Sequence, residues 1–255
     1  MAADIRLQKS LGRKILIMGS NSKLPYILDG YLAFSRCGHL AEDGEGINVT
    51  VSCDENLDVR RYNRNHVTVK QERLDVLNRT DRLGELMRDG GFDSVIVLSK
   101  EGVSIEERDV NVLTAVLLMS EVTFSDSKGT RPQVIVELLD PRNLEIIGEY
   151  GISDVVVTTQ LVSHLIAQCI RSPELKDLFD SLLNYGENNI YVKPSTRFFP
   201  EGLSLSFGDV VRALSAGGEI ALGIVESGKV NLNPGFGHRC TVSKEMDVVV
   251  VSSAY

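Results

Sequence analysis

The turn after the first predicted strand has one feature of a dinucleotide-binding loop. Such loops carry Gly-x-Gly-x-x-Gly, because the backbone must turn tightly and approach a pyrophosphate at a helix N-terminus. Here Gly19 is the first glycine, Asn21 stands at the second position and can adopt a left-handed conformation, and Leu24 stands at the third. Asp54, separated from Gly19 by the insertion 38–46, could hydrogen-bond a ribose. The pattern indicates either binding of a nucleotide (NAD or ATP) by Gly19, Asn21 and Asp54, or an ordinary strand-to-helix turn.

Carboxylates follow several of the predicted strands. Ligands of doubly wound sheets bind beyond the carboxyl ends of the strands, and several oxygen ligands around one cleft suit a hard cation such as Ca²⁺. Glu101, Glu137 and Asp140 lie at such strand ends, and they are the residues that we expect to hold Ca²⁺. The chain has no compact Asp-x-Asp-x-Asp loop, so these residues are also compatible with solvated acids or helix caps.

The sequence lacks the residue combinations that are typical of catalysis. It contains neither Gly-x-Ser-x-Gly nor His-Glu-x-x-His. The four cysteines have no Cys-x-x-Cys spacing, so no zinc site or disulfide framework is indicated. The four histidines are scattered over predicted loops, a strand and a helix, at His39, His66, His164 and His238. We therefore predict that the protein is not an enzyme, with a Rossmann-type oxidoreductase as the alternative.

The composition disfavours several classes of protein. The chain has 255 residues, of which 43% are hydrophobic and 24% charged, as in ordinary soluble globular proteins. Its 27 Lys and Arg against 35 Asp and Glu give a net charge of −8, which disfavours nucleic-acid binding. The cluster Arg60–Arg64 is predicted to be a solvated loop. No stretch approaches the ~20 apolar residues of a membrane-spanning helix, and the first residues lack the apolar core of a secretory signal.

Strands and helices alternate through the first part of the chain. Six strands are predicted at 14–18, 47–53, 66–69, 92–99, 133–138 and 154–158. Helices are predicted between them at 24–34, 82–88, 109–122 and from 141 to about 151. This alternation predicts an α/β fold with a Rossmann-like, doubly wound parallel sheet. Three later strands, at 189–193, 220–225 and 246–252, and a helix at 207–216 predict a small α+β C-terminal lobe.

Two amphipathic helices are predicted between these parts, at 160–170 and 173–185. Leu161 and Leu165 lie on the apolar stripe of the first helix, and Leu178 and Leu182 lie on that of the second. Apolar helix faces of this kind are expected to pack against another protein surface, because their exposure to water is unfavourable. They either pack on their own domain or form a subunit interface that joins two copies of the chain.

Several blocks of sequence carry a family resemblance that extends over about residues 14 to 252. The longer blocks are KILIMG (14–19), FDSVIVL (92–98) and VELLDPRN (136–143). The shorter ones are ISD (152–154), QLVS (160–163), IALG (220–223) and NP (233–234). In order and spacing they resemble the RCK (regulator of potassium conductance) domains of ion channels. They are most similar to the second such domain of the CASTOR/POLLUX family of cation channels.

The resemblance implies both a domain organisation and a function. It implies a linker at 1–13, a Rossmann-like lobe at 14–158, a helix–turn–helix crossover between neighbours at 159–188 and a C-terminal lobe at 189–255. Such domains form a homo-oligomeric gating ring on the cytoplasmic side of a membrane pore domain, which belongs to the same or a partner chain. Ligand binding, often of Ca²⁺, changes the shape of the ring and moves the gate. A nucleotide-binding regulatory subunit is the alternative within the same fold.

Overall fold

The computed structural model describes residues 14–36, 46–74, 80–125, 132–152, 154–183 and 188–253. The predicted linker 1–13, His39 and nearly all of the insertion 38–46 lie outside these residues. The chain forms two compact units, residues 1–172 and 173–255, whereas the domain limits at 158 and 188 remain predictions. Within the described ranges, no helix is both long and apolar enough to span a membrane.

The first unit contains a six-stranded parallel sheet. Its strands are β1 (Lys14–Met18), β2 (Ile47–Ser52), β3 (Val67–Glu72), β4 (Ser94–Val97), β5 (Gln133–Leu138) and β6 (Asp154–Val157). They lie in the order β3-β2-β1-β4-β5-β6, and every neighbouring pair is parallel. The order reverses between β1 and β4, as in doubly wound sheets, so the predicted Rossmann-like fold class is confirmed.

Helices cover both faces of this sheet. Four of them, α1 (Leu24–Arg36), α2 (Thr80–Gly90), α3 (Ile105–Ser125) and α4 (Leu144–Glu149), contribute buried side chains to the cores on the two faces. The fifth helix, α5 (Thr158–Arg171), follows β6 and contains no buried residue. Successive side chains of a strand point to opposite faces. Ile17 therefore lies in the core cluster of α1 with Leu28, whereas Met18 lies in the cluster of α3 with Val116. Burial on both faces explains why residues 15–18 of β1 form a continuous apolar run.

The second unit combines antiparallel strands with helices. Its elements are α6 (Leu175–Leu183), β7 (Asn189–Pro194), β8 (Ser204–Ser206), α7 (Phe207–Ala216), β9 (Ile220–Glu226), β10 (Lys229–Leu232), β11 (Arg239–Thr241) and β12 (Asp247–Ser252). Four strands form a sheet in the order β10-β9-β12-β7, and β8 pairs with β11. Val210 and Leu214 of α7 pack with Ile224, Val248 and Val250 of the larger sheet. The predicted α+β lobe is confirmed.

Some local features differ from the predictions. The strands β8, β10 and β11 were not predicted, because each has only three or four residues and few are buried. Part of the cluster Arg60–Arg64 forms a 3₁₀ turn, Val59–Tyr62, with Tyr62 buried, so the solvated-loop prediction is wrong for this side chain. The single helix predicted from Pro141 is a 3₁₀ turn, Pro141–Asn143, followed by α4.

Candidate functional site

Gly19 fixes the turn between β1 and α1. Its φ is +91°, in the left-handed region that favours glycine. A Cβ atom at this position would lie 2.7 Å from the carbonyl oxygen of Leu98. The backbone N–H of Gly19 also donates to the carbonyl of Ser52 over 2.9 Å. The chain therefore needs a glycine here to pass between the ends of β2 and β4.

Asn21 points into the protein. Its backbone does not adopt the left-handed conformation that is possible for asparagine at this position. Its side-chain amide donates to the carbonyl of Ser99 and to Glu137 Oε2, both over 2.9 Å, while its Oδ1 accepts from the backbone N–H of Lys23 over 3.0 Å. Asn21 therefore stabilises the turn that precedes α1 and joins it to the ends of β4 and β5.

Glu137 is the central buried acid of this edge of the sheet, with 5% of its surface exposed. Oε1 lies 2.8 Å from Nζ of Lys23 and accepts from Thr158 Oγ1 over 3.3 Å. Oε2 accepts from Asn21 Nδ2 and, over 3.1 Å each, from the N–H and hydroxyl of Ser99. Burial would raise the pKa of Glu137, but the hydrogen bonds from Lys23, Ser99 and Asn21 outweigh burial and lower it. The carboxylate is thus held ionised.

Asp140 caps the 3₁₀ turn after β5, which is the helix-cap alternative considered for it. Its carboxylate accepts from the backbone N–H and the guanidinium of Arg142, which lowers its pKa. Asp109 of α3, which is fully buried, stabilises the same turn through hydrogen bonds. Asp109 accepts from the N–H groups of Leu139 and Asp140 over 3.0 and 2.9 Å and from Asn143 Nδ2 over 2.8 Å.

Sequence reasoning missed Asp109, although its spacing carries a signal. It lies three and seven residues before Val112 and Val116, on the buried face of the same helix. An acid at such a position must find hydrogen-bond donors, and the N–H groups after β5 supply them.

The three predicted Ca²⁺ ligands lie in separate contact networks. Glu137 is held by Lys23 and its hydrogen-bond donors, Asp140 by Arg142, and Glu101 by Ser22. In the part of the chain that the structure describes, no group of three His, Cys, Asp or Glu residues could hold a metal ion. The predicted assignment of Ca²⁺ to these residues stays a prediction.

A small cavity of about 110 Å³ lies beside Gly19, where the strand order reverses. Its wall includes Cys53, Asp54, Lys100 and Val112. Burial raises the pKa of the Cys53 thiol, so the thiol is held protonated. Lys100 Nζ lies 3.7 Å from Asp54 Oδ2. Two of the predicted nucleotide-binding residues, Gly19 and Asp54, thus border one cavity.

The predicted interface leucines remain uncovered. In α5, which the structure assigns to the first unit, Leu161 is 52% exposed and Leu165 is half-buried. In α6, in the second unit, Leu178 is 48% exposed and Leu182 is half-buried. Neither helix contains a buried residue. Packing within the described chain therefore does not bury these apolar stripes.

The fold resembles that of a solved gating ring. The structure is similar to the human SLO3 gating ring with a TM-score of 0.63, at 13% identity, over 94% of this chain and 44% of that one. At this identity the likeness establishes the fold alone.

Sequence comparison shows a similarity to a family of ion channels. Residues 159–254 match the family model described as Castor and Pollux, part of voltage-gated ion channel. The ion channel CASTOR of Lotus japonicus is 25% identical over 172 residues, which are 56% of this chain and 20% of the relative. The probable ion channel CASTOR of Oryza sativa subsp. japonica is 28% identical over 146 residues, 55% of this chain and 15% of the relative.

These matches confirm the resemblance predicted from the sequence blocks: the chain is similar in sequence to the CASTOR and POLLUX ion channels. The match spans about a fifth or less of the length of these two relatives. Correspondence to the second RCK domain in particular stays a prediction.

Proposed function

We propose that this chain is a ligand-sensing regulatory domain of a cation channel and that copies of it assemble into a gating ring beneath a membrane pore. The observation that carries the proposal is the match of residues 159–254 to the Castor and Pollux family model, in a chain with a gating-ring fold. The pore lies in another part of the same chain or in a partner chain. The domain acts on the cytoplasmic side of the membrane.

The apolar stripes of α5 and α6 are the contact that we propose between copies. Leu161 and Leu178 are about half exposed, and exposed apolar side chains in contiguous stripes favour association. A two-fold interface between identical chains has the same residues on both sides, so one substitution weakens both halves. Leu165 and Leu182 complete the proposed contact.

Regulation requires that the ligand bind one shape of the ring better than another. A ligand with equal affinity for the open and closed rings would shift neither. The coupling free energy between ligand site and gate is therefore set by contacts that differ between the two shapes. We propose that these contacts lie at the carboxyl edge of the sheet, which includes Glu137 and the cavity beside Gly19, and that the structure of this edge differs between the two shapes of the ring.

Sedimentation velocity tests the assembly. We expect the unaltered chain to sediment as a dimer or larger species, and Leu161→Asp or Leu178→Asp to shift it to the monomer because a charge cannot be buried in an apolar contact. Tyr26→Asp, which places the same charge on the exposed side of α1, is the matched control and leaves assembly unchanged. A monomer at every concentration of the unaltered chain would contradict the proposal.

Calorimetric titration with Ca²⁺ tests the ligand, with Mg²⁺ as the control cation. If Glu101, Glu137 and Asp140 form the site, binding heat specific to Ca²⁺ appears and disappears in Glu137→Gln and Asp140→Asn. Lys23 and Arg142 would have to leave these carboxylates for Ca²⁺ to bind them. Absence of heat, or heat that survives both substitutions, would dismiss the assignment.

A further inference from the structure

The loop between β4 and α3 lies at the place where doubly wound proteins hold a nucleotide. Ligands of such sheets bind beyond the carboxyl ends of the strands, at the point where strand order reverses. In nucleotide-binding members, N–H groups at the start of the first helix receive the phosphates, and an acid after the second strand receives the ribose. The equivalent groups here are the N–H groups of residues 22–24 and the carboxylate of Asp54.

The N–H groups at the start of α1 are already used within the chain. The N–H and hydroxyl of Ser22 donate to Oε1 of Glu101 over 3.1 and 2.6 Å. The N–H of Lys23 donates to Oδ1 of Asn21, and that of Leu24 donates to the carbonyl of Asn21 over 3.1 Å. The carboxylate of Glu101 therefore makes the contacts that a phosphate oxygen would make with Ser22.

Asp54, the acid after β2, also has a partner within the chain. Lys100, the residue before Glu101, places its ammonium group 3.7 Å from Asp54. The preceding residue, Ser99, is fully buried and uses its N–H, hydroxyl and carbonyl in hydrogen bonds with Glu137 and Asn21. Ser99 thus fixes the backbone from which Lys100 and Glu101 project.

We propose that Lys100 and Glu101 are an internal ligand of the crevice, with Glu101 in the place of a phosphate and Lys100 on the ribose-binding acid, and that a nucleoside diphosphate binds here only after displacing them. Both side chains are exposed, and exposed ion pairs contribute little to stability, so displacement does not require unfolding. Nearby, Nε of Arg108 is buried and has no hydrogen-bond partner among the residues described. The guanidinium of Arg108, which donates to Ser99 Oγ over 2.9 Å, supplies positive charge for an incoming anion.

Titration with ADP tests the proposal, which concerns the chain itself and does not depend on a role in a channel. The double substitution Lys100→Ala and Glu101→Ala removes both charged side chains from the crevice and leaves the net charge of the chain unchanged. We expect it to bind ADP roughly tenfold more tightly, or better, than the unaltered chain. Glu101→Ala alone should gain affinity, whereas Glu107→Ala, which removes an exposed acid from the first turn of α3, should not.

Equal affinity for ADP in the unaltered chain and the double variant would overturn the proposal. A second measurement does not require the double variant to fold. In the unaltered chain, the amide resonance of Ser22 should shift with the titration of a carboxyl whose pKa is below its usual range, as the hydrogen bonds from Ser22 to Glu101 require. Glu101→Gln should abolish that shift. A Ser22 amide that is insensitive to both pH and this substitution would equally overturn the proposal.

Discussion

Lys23 and Glu137 form an ion pair that joins the start of α1 to the end of β5, with 2.8 Å between Nζ and Oε1. The carboxylate is buried, whereas the lysine side chain is 42% exposed. A buried carboxylate is costly unless charge and hydrogen bonds compensate it. Lys23 provides the charge, and Asn21 and Ser99 provide the hydrogen bonds. The pair therefore holds together the two strand ends and the helix that border the crevice.

Replacing Glu137 by Gln should destabilise the fold. Hydrogen bonds to a charged group contribute about 1.5–3 kcal/mol each, and the neutral amide would also turn an N–H₂ group towards existing donors. We expect the free energy of unfolding, measured by urea denaturation at neutral pH, to fall by roughly 2–3 kcal/mol. Glu149→Gln, at an exposed acid of α4, is the control and should change it little.

The cost of Glu137→Gln should also depend on pH. The pKa of Glu137 is lower in the folded chain than in the unfolded one. Its contribution is therefore present above the unfolded pKa, about 4.3, and is lost as the pH falls through the folded pKa. A difference from the unaltered chain that persists undiminished below the folded pKa would contradict this account.

Two glycine substitutions should have opposite effects. Gly19→Ala forces a residue with a side chain to a φ of +91° and brings its Cβ within 2.7 Å of the Leu98 carbonyl. We expect a loss of about 1–3 kcal/mol in the free energy of unfolding. Gly148→Ala in α4 meets no atom within 4 Å and should stabilise the chain by up to about 1 kcal/mol. Thermal unfolding of both variants checks the prediction, and a Gly19→Ala variant as stable as the unaltered chain would contradict it.

The sequence predicts the parts of the fold that depend on local pattern. The run Ile15–Met18 is apolar because these residues are buried on both faces of the sheet, so it can be recognised without knowledge of its neighbours. The strand β10 could not be recognised, because all four of its residues are exposed and only pairing with β9 defines it.

The orientation of Asn21 also could not be predicted. Its conformation is decided by Glu137 and Ser99, which are distant in the sequence. The contact of Glu101 with Ser22 depends in the same way on two loops meeting at the sheet edge. The acids at the strand ends could be predicted as candidate ligands from the sequence. The hydrogen-bond donors and cations that pair with them could not, because these groups come together only in the folded chain.

Asp109→Leu should loosen the turn after β5. It removes the acceptor for three donors, from Leu139, Asp140 and Asn143, in a buried place where water does not replace it. Unsatisfied buried donors cost about 1–3 kcal/mol each, so we expect a loss of roughly 3 kcal/mol or more. Hydrogen exchange should accelerate at the amides of Leu139 and Asp140. Glu106→Leu, which replaces an exposed acid of the same helix, should leave both amides protected.

The cap of α7 should make the second unit sensitive to acid. Hydrogen bonds from the hydroxyl and backbone N–H of Ser206, and then from Arg212, lower the pKa of Asp209 from 3.8 to about 2. Since the folded pKa is the lower one, this carboxylate stabilises the unit above pH 3.8, and the contribution is lost as the pH falls towards 2. In Ser206→Ala the pKa measured by carboxyl NMR should rise towards its ordinary value, and it should rise less in Arg212→Ala. An unchanged pKa in Ser206→Ala would show that the capping box does not hold this carboxylate ionised.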